Sequence, residues 1–136
     1  MDGLKELKGV VVIGTTNKPS ILDPAILRPG RFDKIFYIPP PEEGARAEIF
    51  RINLDKFAKT MDLEKLAKLS EGFSGADIAS VAQEIKMLAV RAKLAGKDET
   101  VTTETVAGII RKRKPSITRS MLREYDEFLE EYGERT

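Results

Sequence analysis

The chain has 136 residues, 41% hydrophobic and 33% charged, with a formal net charge of +1. That length suffices for a buried core in one domain or two small ones, and the composition excludes a disordered chain. No apolar run is long enough for a membrane helix or a signal peptide, and the near-neutral charge gives no global attraction to nucleic acid. A cytoplasmic protein with no membrane partner is therefore expected. Cysteine and histidine are both absent. Their absence excludes disulfides, thiolate or imidazole metal ligands, and Ser-His or Cys-His nucleophile pairs. No metal site is expected, and any chemistry must run on Arg, Lys, Asn and carboxylates.

In chain order, Lys8 and Gly9 lead into Val10-Val11-Val12-Ile13, bounded by Gly14. A continuous β-branched run of this kind suits a short strand covered on both faces. Thr15, Thr16, Asn17, Lys18 and Pro19 then make a polar loop at its C-terminal end, the end where ligands bind in open α/β sheets. Asp23-Pro24 predicts an N-cap with proline at the first helical position, opening a short turn through Leu27 that Pro29-Gly30 breaks. Ile35-Phe36-Tyr37-Ile38 predicts a second short strand. The three prolines 39–41 form a stiff joint and the candidate domain boundary.

From Glu42 the pattern becomes helical. Ala45, Ile49, Ile52 and Phe57 space out as a core-facing stripe on a first helix. Asp62 caps a second, short helix carrying Leu63, Leu66 and Leu69. Ser74-Gly75-Ala76-Asp77 is a capping-box pattern. It opens a long helix with Ile78, Val81, Ala82, Ile85, Leu88, Ala89 and Ala92 on one face, ended by Gly96. A fourth helix is predicted over about 103–112, with Val106, Ile109 and Ile110 inward. After Pro115, a last helix over about 118–132 carries the stripe Met121, Leu122, Tyr125, Phe128, Leu129 and Tyr132. That stripe can pack on the chain's own bundle or dock on a neighbouring subunit.

Three side chains could act on a phosphate. Asn17 just past a buried strand can hold a water or a phosphate oxygen, because an amide both donates and accepts; it can equally be a turn asparagine. Arg28 and Arg31 flank a Pro-Gly turn, and guanidinium groups suit phosphate by being planar, always charged and bidentate. Taken alone, they can also be solvated or paired, with Asp33 close by. The basic run 111–114 could contact nucleic-acid phosphates. It also fits a helix C-terminus, where cations oppose the macrodipole, and no aromatic platform is interleaved with it.

The segment VVVIGTTNKPSILDPAILRPGRFDK resembles the sensor-1 and arginine-finger segment of AAA ATPases of the valosin-containing-protein type. In that family an apolar strand is followed by T-T/A-N-x-P and then L-D-x-A-[IL]-x-R-x-G-R-[FI]-D. Met1-Asp2-Gly3-Leu4 is similar to the segment just after the Walker B strand there. GFSGADI is similar to the stretch where the helical lid meets the nucleotide, and KPSITRSMLREYDEF to the segment after the second ATPase ring. The resemblance covers essentially the whole chain. It implies a mainly α fold: a remnant of an α/β P-loop sheet with two short strands in 1–41, a four-helix lid bundle in 42–114, and a tail helix in 115–136.

It further implies roles. Asn17 would be sensor 1, placing the attacking water, and Arg28 and Arg31 would be fingers reaching the adjacent subunit's nucleotide. Gly75 and Ala76 would touch the adenine and ribose edge, while Ile49 and Asn53 flank the base. Some relatives carry His where Asn53 stands. Asp33 would orient the finger loop. The partners implied are ATP with Mg2+ in the intact parent, identical subunits in a hexameric ring, and a protein substrate. The chain contains no G-x-x-x-x-G-K-[ST] loop and no apolar strand ending in paired carboxylates. It is therefore expected to be the C-terminal part of one module, inactive and without bound nucleotide by itself. In the family's sheet the two strands flank a third that this chain lacks, so residues 1–41 are expected to be poorly ordered, rearranged or completed by another chain. Two other readings stand beside this one: a helical protein-interaction module, and a basic helical nucleic-acid binder using 111–114.

Overall fold

The computed structural model describes residues 10–28, 30–32, 34–97 and 100–132. Met1 to Leu4, Lys8, Gly9, Pro29 and Asp33 lie outside the described residues. Five α-helices are present among those described: α1 Glu43–Leu54, α2 Leu63–Leu69, α3 Gly75–Leu94, α4 Thr103–Lys112 and α5 Arg119–Tyr132. The chain divides into two compact units. One is Pro39–Thr118; the other combines described residues of Met1–Ile38 and of Arg119–Thr136.

The Pro39–Thr118 unit is a bundle of α1 to α4, and its helices start where local chemistry directs. Asp62 accepts the Lys65 N–H at 2.9 Å and opens α2. Ser74 and Asp77 close a reciprocal capping box at the start of α3, and Thr102 and Thr105 do the same for α4. Gly96, at φ +67°, turns the chain beyond α3. Phe50 and Leu54 of α1, Leu66 of α2, Phe73 just before α3, Ile78, Val81 and Ile85 of α3, and Val106 and Ile110 of α4 form the core.

The inward face of α1 differs from the predicted stripe. Ala45 and Ile52 are exposed, Ile49 and Phe57 only flank the core, and Arg46, Phe50 and Leu54 are buried instead. The buried face is thus one residue along, about 100° around the helix. Two adjacent faces of α1 carry apolar residues, and the larger Phe50 fills the interior. Arg46 disguises that face in the sequence. Its Nε and Nη2 each donate to the Ala67 carbonyl at 3.1 Å, and its Nη1 donates to the Pro41 carbonyl at 2.8 Å. A cation thereby satisfies a carbonyl in the last turn of α2 and ties down the triproline. On α3, Leu88 is 38% exposed and does not join the inward face predicted for it.

In the other unit neither predicted strand forms. Residues 10–13 and 35–38 have no sheet pairing among the described residues. A strand's backbone groups need a neighbouring strand, and the described residues supply none. The exposed side chains agree: Val11 and Ile13 are each 83% exposed. The finger segment does take its predicted form. Asp23 accepts the Ala25 N–H at 2.8 Å, and Pro24–Leu27 is a short 3-10 turn, with a second at Pro19–Ile21. Helix α5 packs on that second turn, and its apolar stripe is half-buried. Tyr125 stacks at an angle on Tyr37, with ring centroids 6.0 Å apart. Nearby Asp126 and Tyr125 add to burial in raising the Tyr37 phenol above its ordinary value, burial being the larger cause.

Candidate functional site

Asn17, Arg28 and Arg31 share one loop, shaped by its own backbone. The Ala25 carbonyl accepts the Arg28 N–H at 3.4 Å and the Arg31 Nη1 at 3.0 Å. Arg31 is thus half-buried and folded back on the turn, whereas Arg28 is exposed. Gly30 between them has φ +85°, where a side chain would be strained although nothing crowds it. Asn17 is exposed, and its backbone carbonyl accepts the Tyr125 hydroxyl at 2.8 Å. The neighbouring Ser20 hydroxyl donates to the Glu124 carboxylate. Helix α5 therefore grips the loop through the Asn17 carbonyl and the Ser20 hydroxyl, and the Asn17 side chain remains at the surface.

In the bundle unit, α1 meets the start of α3 where Ile49 approaches Gly75, with Asn53 one turn along α1 and Ala76 next to Gly75 in the chain. The Asn53 Nδ2 donates to the Ile49 carbonyl at 2.9 Å, one turn back. That bond orients the amide with its nitrogen toward the helix. A Cβ built on Gly75 would meet the Ile49 Cδ1 at 4.0 Å, an ordinary contact. Ala76 is exposed. Packing therefore does not require glycine at 75, and in a helix glycine is less favourable than alanine by up to about 1 kcal/mol. The fold gives no reason for the missing side chain.

The capping box at the start of α3 carries a third partner, Ser116, that the local pattern does not announce. The Asp77 Oδ2 accepts the Ser74 N–H at 2.8 Å and the Ser74 hydroxyl at 2.9 Å. It also accepts the Ser116 N–H at 3.3 Å and the Ser116 hydroxyl. Burial raises the Asp77 carboxyl, but these bonds outweigh it and hold the group below its ordinary value. Gly72 was the available signal: at φ +76°, a Cβ there would meet the Pro115 Cβ at 3.1 Å, and its carbonyl accepts the Ile117 N–H at 3.3 Å.

The basic run is partly neutralised within the bundle. Arg111 pairs with Glu104 at 3.4 Å and Arg113 with Glu84 at 2.7 Å. Glu104, which Lys65 also bonds, is held below the usual carboxylate range, first by that hydrogen bond. Among the described residues no cluster of acidic side chains could hold a metal ion, and no helix is long and apolar enough to cross a membrane.

Residues 1–40 match the family described as "ATPase family associated with various cellular activities (AAA)", and residues 60–105 match the AAA+ lid domain. The chain is 42% identical over 145 aligned positions to the cell division cycle protein 48 homolog of Archaeoglobus fulgidus. That alignment takes in 97% of this chain and 20% of the relative, so the chain spans about a fifth of the relative's length. Two successive family matches in the right order and this identity along nearly the whole chain lead to one conclusion: the chain belongs to the AAA ATPase family, on its valosin-containing-protein-like branch, and carries part of one such ATPase with its helical lid.

Proposed function

We propose that this chain supplies sensor 1, two trans-acting arginine fingers and the nucleotide lid to an ATPase that remodels or unfolds proteins as a hexameric ring. Residues 1–41 are the end of its α/β nucleotide-binding subdomain, with residues 10–13 and 35–38 as strands of the completed sheet. Residues 42–114 are the lid and residues 115–136 the tail. The observation that carries this reading is the lid patch. Ile49, bonded by Asn53, borders a glycine that packing does not require, with Ala76 exposed beside it in the chain, which suits the close approach of a base and ribose.

In this role Asn17 orients the attacking water from the loop at a strand end. Arg28 and Arg31 stabilise charge on a phosphoryl group held by the next subunit, which guanidinium geometry favours. Mg2+ in the intact protein would neutralise phosphate charge; among the described residues no cluster of acidic side chains could hold it. In the intact ATPase, Arg28→Ala or Arg31→Ala should leave ATP binding near normal and cut hydrolysis by roughly 10³–10⁵. Asn17→Ala should slow hydrolysis while sparing assembly. Unchanged turnover in both arginine variants would remove the finger role.

A further inference from the structure

The contact between Ser116 and the start of α3 joins positions 39 to 42 residues apart in the chain. Ser116 contributes both its N–H and its hydroxyl to one oxygen of Asp77, and its hydroxyl lies 3.0 Å from that of Ser74. Pro115 packs on Gly72, whose lack of a side chain leaves room for it, and the Ile117 N–H closes the contact on the Gly72 carbonyl. Ser74 is the cap of α3 and Asp77 its third residue, so these bonds enclose the backbone of Gly75 and Ala76 from both sides. A capping box alone satisfies the helix end locally. A third, distant partner on the same carboxylate fixes where that end sits in the bundle.

We infer that Ser116 is a positioning residue for the nucleotide: through Asp77 and Ser74 it holds Gly75 and Ala76 at the depth where the adenine and ribose edge meets the lid. The inference rests on the reading of Gly75 and Ala76 given above. Ser116 itself touches no nucleotide. It makes the segment after α4 part of the lid's binding surface, so any shift in that segment is felt as nucleotide affinity.

The test uses the intact ATPase, with a fluorescent ADP analogue for equilibrium binding and steady-state kinetics with ATP. Ser116→Ala should raise the analogue's Kd and the KM for ATP by roughly three- to tenfold, the scale of about one hydrogen bond's worth of binding. The kcat should change by less than about twofold, because uniform binding is what is lost. Ser116→Thr, which keeps the hydroxyl, should restore both constants. Gly72→Ala, which displaces Pro115 from the other side, should shift them in the direction of Ser116→Ala. Unchanged Kd and KM in Ser116→Ala, with or without a lower melting temperature, would leave Ser116 a merely structural residue and overturn the inference. Ala76→Phe separates the two levels. If it weakens binding while Ser116→Ala does not, only the positioning role fails; if neither does, the lid-patch reading fails with it.

Discussion

Residues 10–13 and the Ile78, Val81, Ile85 series of α3 are comparably apolar, yet they meet opposite fates. Val10 and Val12 are more than half exposed, whereas all three α3 residues are fully buried. The difference lies in where each segment's backbone bonds go. A helix closes its own N–H to C=O bonds and needs only a partner face, which α1 and α4 provide for α3 within the same unit. A strand exports every backbone bond to a neighbour, so the same hydrophobicity remains unsatisfied until a sheet is completed around it. The helices of the Pro39–Thr118 unit therefore close one core among themselves, whereas residues 10–13 have no partner strand among the described residues.

The largest effect expected from that contrast is in the lid core. Phe50→Ala should cost about 3–5 kcal/mol, read from urea unfolding of the chain, because it opens a cavity among Leu54, Leu66 and Ile78. Val11→Ser should change stability by less than about 0.5 kcal/mol, as for an exposed site. If the two substitutions cost the same, the contrast is broken.

A smaller effect sharpens it. Arg46→Met keeps the apolar stem and removes the bonds to the Ala67 and Pro41 carbonyls, and should cost roughly 1.5–3 kcal/mol. A neutral result would mean that the stem alone packs the α1–α2 seam.

The smallest effect depends on pH. The folded Asp77 carboxyl lies below its ordinary value, so its stabilisation is complete above the unfolded-chain value of about 3.9 and is lost as pH falls through the lower folded value. Asp77→Asn should cost about 1 kcal/mol at neutral pH. The gap to the wild type in urea midpoint should close below pH ~4. A gap that stays constant from pH 7 to pH 3 would show that the amide's shape, not its missing charge, matters.

Much of the lid was readable from the amino-acid order. The starts of α2 and α3 fall at the predicted caps Asp62 and Ser74, since a cap satisfies backbone groups two or three residues away, and α4 begins at Thr103 as its pattern predicts. The Asp23 turn obeys the same rule in the other unit. The inward face of α1 was not readable, because Arg46 hides among surface-like charges while its guanidinium serves carbonyls from two other segments. In the candidate sites, the sequence names Asn17, Arg28, Arg31, Ile49, Asn53, Gly75 and Ala76 by resemblance. Only coordinates show that Ile49 borders Gly75 and that Arg31 folds onto its own turn.

Local chemistry settles which segments become helices, where they begin, and which polar residues stand at loops. Each of these depends on bonds spanning a few residues, so the order of amino acids is enough to specify it. Long-range packing sets the rotation of α1, the exposure of residues 10–13 and the closure of Ser116 on Asp77. Those outcomes depend on a packing partner or hydrogen-bond partner far along the chain, and no local pattern encodes the distance between two segments until the core between them is filled.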